Sequence, residues 1–94
     1  MGREQVIDNE RETRYEMRTE AGLALLDYMR EDGRIALVHT EVPKALEGRG
    51  FGTMLVKAAL DEARARQVHV IPMCAFVRAY IARHPEYAAL VAKR

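Results

Sequence analysis

Cys74 is the only cysteine in the chain, and its setting makes it the first residue to weigh for chemistry. Pro72 ends an apolar run and Phe76 opens a helical spacing, which puts Cys74 at a helix N-terminus. A free thiol has a pKa of about 8.5, and a helix N-terminus lowers it toward the nucleophilic thiolate. The plainer alternative is a small buried core residue, where free cysteines usually sit. His39 and Glu41 share one strand face through the two-residue period. One of them can act as base or relay, directly or through water, or the two can be a satisfied polar pair at a strand end. Tyr80 lies four residues after Phe76 and reads first as a helix-face aromatic packed on a sheet. His84 is expected at a helix end and His69 in a structural role.

A second cluster is built from backbone. Glu47-Gly48-Arg49-Gly50-Phe51-Gly52-Thr53 has glycines at alternate positions between a β-type run and a helical pattern. Glycine there permits turns closed to other residues and lets a ligand approach the main chain closely. The first amides of the helix have no intrahelical partner, and the helix dipole adds positive charge. Together they make a site for phosphate or another anion. The same residues serve equally as a turn that joins a strand to a helix.

These residues need elements to hold them. Val6 and Ile7 suggest a first edge strand. Glu12 to Arg18 alternates, with Thr13, Tyr15 and Met17 on a buried face and Glu12, Arg14, Glu16 and Arg18 on a wet one. Thr19 to Gly22 is a turn. Gly22 to Arg30 is a strand apolar on both faces, hence central; helix is the rival there, and the flanking Gly22 and Asp32-Gly33 favour a hairpin. Arg34 to Val42 is a third strand in this meander, stopped by Pro43. The helix from Thr53 to Arg66 places Leu55, Val56, Ala59, Leu60 and Ala63 on one face. Val68 to Ile71 is a further strand ended by Pro72. Strand, helix and strand in this order imply a right-handed crossover and parallel pairing. A helix through Phe76, Val77, Tyr80 and Ile81 is interrupted at His84-Pro85, and Glu86 to Lys93 forms a last short helix. The fold class expected is α+β: an antiparallel meander, then a parallel βαβ unit in one mixed sheet, with helices packed on it. The glycine turn falls at the C-terminal end of a central strand, where open sheets place ligands.

Composition narrows the classes. A length of 94 residues with 49% hydrophobic and 31% charged residues fits one small domain spanning 1–94. Fifteen basic residues against fourteen acidic ones leave no global field to attract nucleic acid or membrane. One cysteine forms no intramolecular disulfide, and the first residues hold no signal-peptide core, so a soluble cytoplasmic protein is expected. No apolar run approaches the roughly 20 residues a membrane span needs. No metal site is expected.

The order of elements and several short motifs resemble the GNAT superfamily of acetyl-CoA-dependent N-acetyltransferases, and in particular its smallest single-domain members. The motifs are the glycine loop, His39-Thr40-Glu41-Val42 before it, Pro72-Met73-Cys74-Ala75-Phe76 after the next strand, then Tyr80 and His84-Pro85-Glu86-Tyr87. The loop alone has low specificity; its combination with the later motifs is strong, and the likeness runs from about Val6 to Leu90.

The resemblance implies that acetyl-CoA is the acyl donor. Amides of Arg49, Gly50, Phe51, Gly52 and Thr53 would hold its pyrophosphate, and the backbone from Thr40 to Val42 would pair with the pantetheine arm as an added strand. Cys74, Phe76 and Tyr80 would stand near the thioester. Tyr80 would protonate the leaving thiolate, while the shared strand face of His39 and Glu41, apart from the resemblance, lets one of them take the amine proton or lets Glu41 orient the amine. Glu47 stands where the superfamily has Gln or Arg, so it is expected to point away from the phosphates, with Arg49 as their side-chain partner. Arg64, Arg66, Arg78 and Arg83 could meet the 3′-phosphate or form a solvated face. The chain lacks the helix pair that usually builds the acceptor site, so the amine acceptor is undetermined: a protein, a small molecule, or one held between subunits of a homodimer. The expected activity is acetyl transfer to an amine, directly or through a Cys74 thioester. The alternatives are a non-catalytic coenzyme A binding or sensing module, or an interaction protein whose glycine loop is only a turn.

Overall fold

The computed structural model describes residues 5–92. Five strands, β1 (Ile7–Asn9), β2 (Arg14–Thr19), β3 (Gly22–Glu31), β4 (Arg34–Glu41) and β5 (His69–Pro72), form one sheet in the order β1-β2-β3-β4-β5. Pairing is antiparallel as far as β4 and parallel between β4 and β5. The crossover is α1 (Phe51–Arg66), and α2 (Ala75–Arg83) follows β5. No helix among the described residues is long and apolar enough to cross a membrane.

One face of the sheet carries the core. Tyr15 and Met17, Ala24, Leu26 and Tyr28, Ile35 and Leu37, and Val70 pack against Leu55, Val56, Ala59, Leu60 and Ala63 of α1 and Val77, Tyr80 and Ile81 of α2. Each fully buried Leu or Val contributes about 1.5–3 kcal/mol through removal from water. The expected apolar stripe of α1 is the buried one. No helix among the described residues covers the opposite face, which carries Arg14, Glu16, Leu25, Asp27, His39 and Glu41 by register.

Several local expectations are corrected. Glu16, read as solvent-facing, is buried; it accepts from Asn9 Nδ2 at 2.8 Å and Arg14 Nε at 2.6 Å. A carboxylate tolerates such burial when its lone pairs are taken by donors on neighbouring residues. Thr13, read as buried, is exposed in a turn at φ 52 before β2 begins. Helix α1 starts at Phe51, two residues before the expected Thr53, because Gly50 caps it in the left-handed conformation, φ 88. Strand β5 is shifted by one residue and ends on Pro72 itself. The last helix is a 3-10 segment, Pro85–Leu90, and not an α-helix. Val91 leaves it to bridge Val70, with Ala92 N donating to Val70 O at 2.8 Å, so the chain cannot wind further. Lys93, the expected end of that helix, lies outside the described residues, as do the first four residues of the polar N-terminal stretch.

Candidate active site

Strand β4 makes the site by outrunning its neighbour. Its pairing with β5 stops at Leu37–Pro72, while the strand itself continues to Glu41. Asp27 pairs with His39 and Tyr28 with Leu37, so Val38 is an extra residue without a partner on β3. Such a bulge bends the strand, and beyond it β4 runs on where β5 has already ended. The chain then turns through a 3-10 segment, Lys44–Leu46, into the glycine stretch.

A cleft of about 490 Å³ opens there, lined by Thr40, Val42, Leu46, Glu47, Gly48, Gly50, Phe51, Gly52, Thr53 and Phe76. Gly48 and Gly50 have φ of 80 and 88, which L-residues adopt only with strain. Among the described residues, the amides of Gly48, Gly50, Phe51, Gly52 and Thr53 have no backbone acceptor, the first bond of α1 being Met54 N to Gly50 O. Free amides, open backbone and a helix N-terminus therefore converge on one wall of the cleft, which suits an anion. Gly52 is needed for a second reason. A Cβ there would lie 3.0 Å from the tip of the Phe76 ring, so glycine lets that ring close the cleft.

Thr40 lines the cleft, and its Oγ1 lies 3.4 Å from Sγ of Cys74, which is outside the lining; the contact bridges β4 and the start of α2. Cys74 is the N-cap of α2, φ −86 and ψ 131, as its spacing suggested, and it is half-buried. Burial pushes its thiol up. The Thr40 hydroxyl, then the amides of Val77, Phe76 and Thr40, outweigh that and bring it below the ordinary thiol range. The amides of α2 face the sulfur without reaching full capping geometry, so the Thr40 hydroxyl is its one close partner.

The remaining candidates are dispersed. His39 and Glu41 stand on the opposite face of β4 from Thr40, paired at 3.0 Å and exposed. Tyr80 is buried on the helix side of the core, its ring 4.1 Å from His84 and 6.0 Å from Tyr87, and it takes no part in the cleft wall. The amide of Arg49 is already bonded to Leu46 O at 3.2 Å, while its exposed guanidinium has no ion pair among the described residues. Glu47 borders the cleft and is exposed. Arg64 donates to Glu86 O and stacks over Tyr87, Arg66 pairs with Glu62, and Arg78 donates to two carbonyls beside Cys74. Leu46 and Gly48 belong to the wall and were not singled out as ligand contacts. The alternate glycines already pointed to Gly48; Leu46 carried no signal beyond its position before the turn.

An antiparallel meander joined by a crossover helix to a shorter parallel strand, with a glycine turn at the helix N-terminus, defines the acetyltransferase scaffold of the GNAT type. The chain belongs to the GCN5-related N-acetyl-transferase family, whose model matches residues 14–90. It is 37% identical over 51 residues to Protein NATD1 of Gallus gallus and of Homo sapiens, an alignment that takes in 54% of this chain and 46% and 45% of those proteins. The chain thus spans about half the length of the curated relatives it matches. The fold is shared with an NMR solution structure of a GCN5-like protein from Staphylococcus aureus, with a TM-score of 0.76 and 23% identity over 100% of this chain and 93% of that one.

Proposed function

We propose that the protein binds acetyl-CoA in this cleft and transfers the acetyl group to an amine. The observation that carries the reading is the convergence of unpaired turn amides, glycine backbone and the Phe76 ring on one cleft, one of whose lining residues, Thr40, contacts Cys74. The amides of Gly50, Phe51, Gly52 and Thr53 would hold the pyrophosphate. Thr40 and Val42 would offer the free edge of β4 to the pantetheine arm. Arg49 is the side chain best placed to add charge to the phosphates, since nothing among the described residues pairs with it.

Two routes lead to product. In the direct route the amine attacks the thioester carbon, the C–S bond breaks, and coenzyme A leaves as a thiol that has taken up a proton. In the covalent route the Cys74 thiolate attacks first and releases coenzyme A. The amine then displaces Cys74, losing its proton to solvent or to the His39–Glu41 pair. The lowered thiol pKa and the Thr40 contact support the covalent route. His39 and Glu41 sit on the uncovered sheet face, so the acceptor would arrive from the side opposite the donor. Tyr80 packs its ring against His84 and Tyr87 and would serve as the acid for the leaving thiolate only if its hydroxyl faces the thioester.

A second reading is a coenzyme A binding or sensing module without turnover. It is favoured by the uncovered sheet face, which gives an acceptor no wall. Calorimetry with coenzyme A, followed by mass spectrometry after incubation with acetyl-CoA, separates the readings. Binding with a Cys74 adduct and transfer to an amine is the expected result. Binding without transfer to any amine leaves the sensing module, and no binding ends both.

A further inference from the structure

Arg78 lies on the exposed side of α2, one turn beyond Cys74, and its guanidinium reaches back past the helix start. Nη1 donates to Pro72 O at 3.1 Å and to Met73 O at 2.8 Å. From the other side, Leu37 O accepts from Met73 N at 3.0 Å and Cys74 N at 3.1 Å. The connection between β5 and α2 is therefore gripped twice, at the place where the pairing of β4 with β5 ends. No backbone N–H among the described residues reaches the Met73 carbonyl, so this side chain is its donor. These bonds hold the extended backbone of Cys74, and with it the direction of the Cα–Cβ bond.

We propose that Arg78 is a positioning residue for the Cys74 thiol: its clamp on the Pro72 and Met73 carbonyls keeps Sγ turned toward the Thr40 hydroxyl and the first amides of α2. This deepens the covalent route proposed above and rests on Cys74 acting as a thiolate. Both bonds come from the one nitrogen, Nη1, which carries two N–H groups, and the guanidinium stays charged at every pH of interest. A lysine offers a point charge with rotatable donors and holds the same carbonyls less firmly.

Other charged groups around the thiol are few. On β4, His39 and Glu41 point to the far face. On β5, the titratable residue is His69, at the opposite end of the strand. The first turn of α1 carries no acidic or basic residue. Glu47 and Arg49 stand along the glycine turn, and Tyr80 and Arg83 lie further along α2. The thiol therefore responds mainly to how it is aimed at its hydrogen-bond donors.

The test is the rate of Cys74 alkylation by iodoacetamide against pH, in the whole chain and in Arg78→Met and Arg78→Lys. With one cysteine in the sequence, the readout is unambiguous. Arg78→Met is expected to alkylate roughly three- to tenfold more slowly near neutral pH and to converge with the parent in strong alkali, because the thiolate has lost its donors. Arg78→Lys is expected to recover most of the neutral-pH rate. Coenzyme A affinity should change less than about twofold in both, since the turn amides lie elsewhere. An unchanged profile in Arg78→Met overturns the proposal, and so does an equal slowing at every pH, which would report access alone. Alkylation needs no acyl donor, so failure of coenzyme A binding would sink the proposed function and leave this result readable.

Discussion

Gly52→Ala and Gly50→Ala separate what the turn does for folding from what it does for a ligand. At Gly52 an added Cβ meets Phe76 Cζ at 3.0 Å and Cε2 at 3.1 Å. The obstacle is the far end of a ring that is 40% exposed, so the ring can swing outward. Alanine also gains helix propensity of up to about 1 kcal/mol over glycine. Stability should therefore stay within about 1 kcal/mol of the parent, a shift of about 4–8 °C or less in midpoint. Binding should suffer more, because the methyl and the displaced ring intrude on the amides. Loss of one charge-assisted hydrogen bond, about 1.5–3 kcal/mol, corresponds to a roughly 10- to 150-fold weaker affinity for coenzyme A. Gly50 reverses the pattern. Nothing lies within 4 Å of where its added methyl would sit, but φ is 88, and the left-handed conformation costs a β-carbon-bearing residue about 1–2 kcal/mol. Gly50→Ala should melt earlier and, at low temperature where it is folded, bind better than Gly52→Ala. Circular dichroism melts and calorimetric titrations measure both quantities. If Gly52→Ala binds coenzyme A as tightly as the parent while its Phe76 ring resonances have moved, the cradle assignment is wrong.

Other expectations follow from buried polar groups. Tyr15 and Tyr28 have rings 5.3 Å apart yet should respond oppositely to loss of the hydroxyl. Tyr15 OH is buried without a hydrogen-bond partner among the described residues, so Tyr15→Phe should be neutral or stabilising by about 1 kcal/mol; destabilisation on urea unfolding would contradict this. Tyr28 OH donates to Asp8 at 2.6 Å, and Tyr28→Phe should cost about 1.5–3 kcal/mol. Burial, then the Asp8 bond, pushes Tyr28 from 10.0 up to about 12. Its contribution is complete below the unfolded value and should disappear as pH rises through the folded one, which an alkaline unfolding curve of Tyr28→Phe against the parent would show. Glu16→Ala should cost about 1–3 kcal/mol, because the guanidinium of Arg14 and the amide of Asn9 lose their acceptor; a loss below a few tenths would show that burial alone mattered. The Arg14 hydrogen bond holds the Glu16 carboxyl below the usual range, so its share of stability is lost as pH falls through that lowered value. Thr40→Val should raise the pH at which Cys74 alkylates, since valine cannot donate to the thiolate.

Much of this was legible in the residues. Period-two runs and bracketing glycines gave β2, β3 and β4, and the apolar stripe of α1 is the one that is buried. The glycine turn and the helix start at Cys74 were readable because backbone needs write themselves into Gly, Pro and helical spacing. What escaped depends on partners distant in sequence. Glu16 looks like any wet-face carboxylate until Asn9 and Arg14 close on it. The bulge at Val38 comes from pairing geometry, and no residue type announces it. Arg78 resembles a solvated helix residue, because its carbonyl partners exist only once β5 has turned into α2. Tyr80 carries the right motif position, yet its ring is claimed by His84 and Tyr87, contacts made possible by the unforeseen 3-10 segment.

The central claim, that the turn from Gly48 to Thr53 cradles a pyrophosphate, is tested most directly by amide-resolved NMR titration with coenzyme A. Saturable shifts that are largest at Gly50, Phe51, Gly52 and Thr53, with a second group at Thr40 and Val42, are the predicted result. Absence of saturable shifts, or shifts confined to residues outside the cleft, would contradict it.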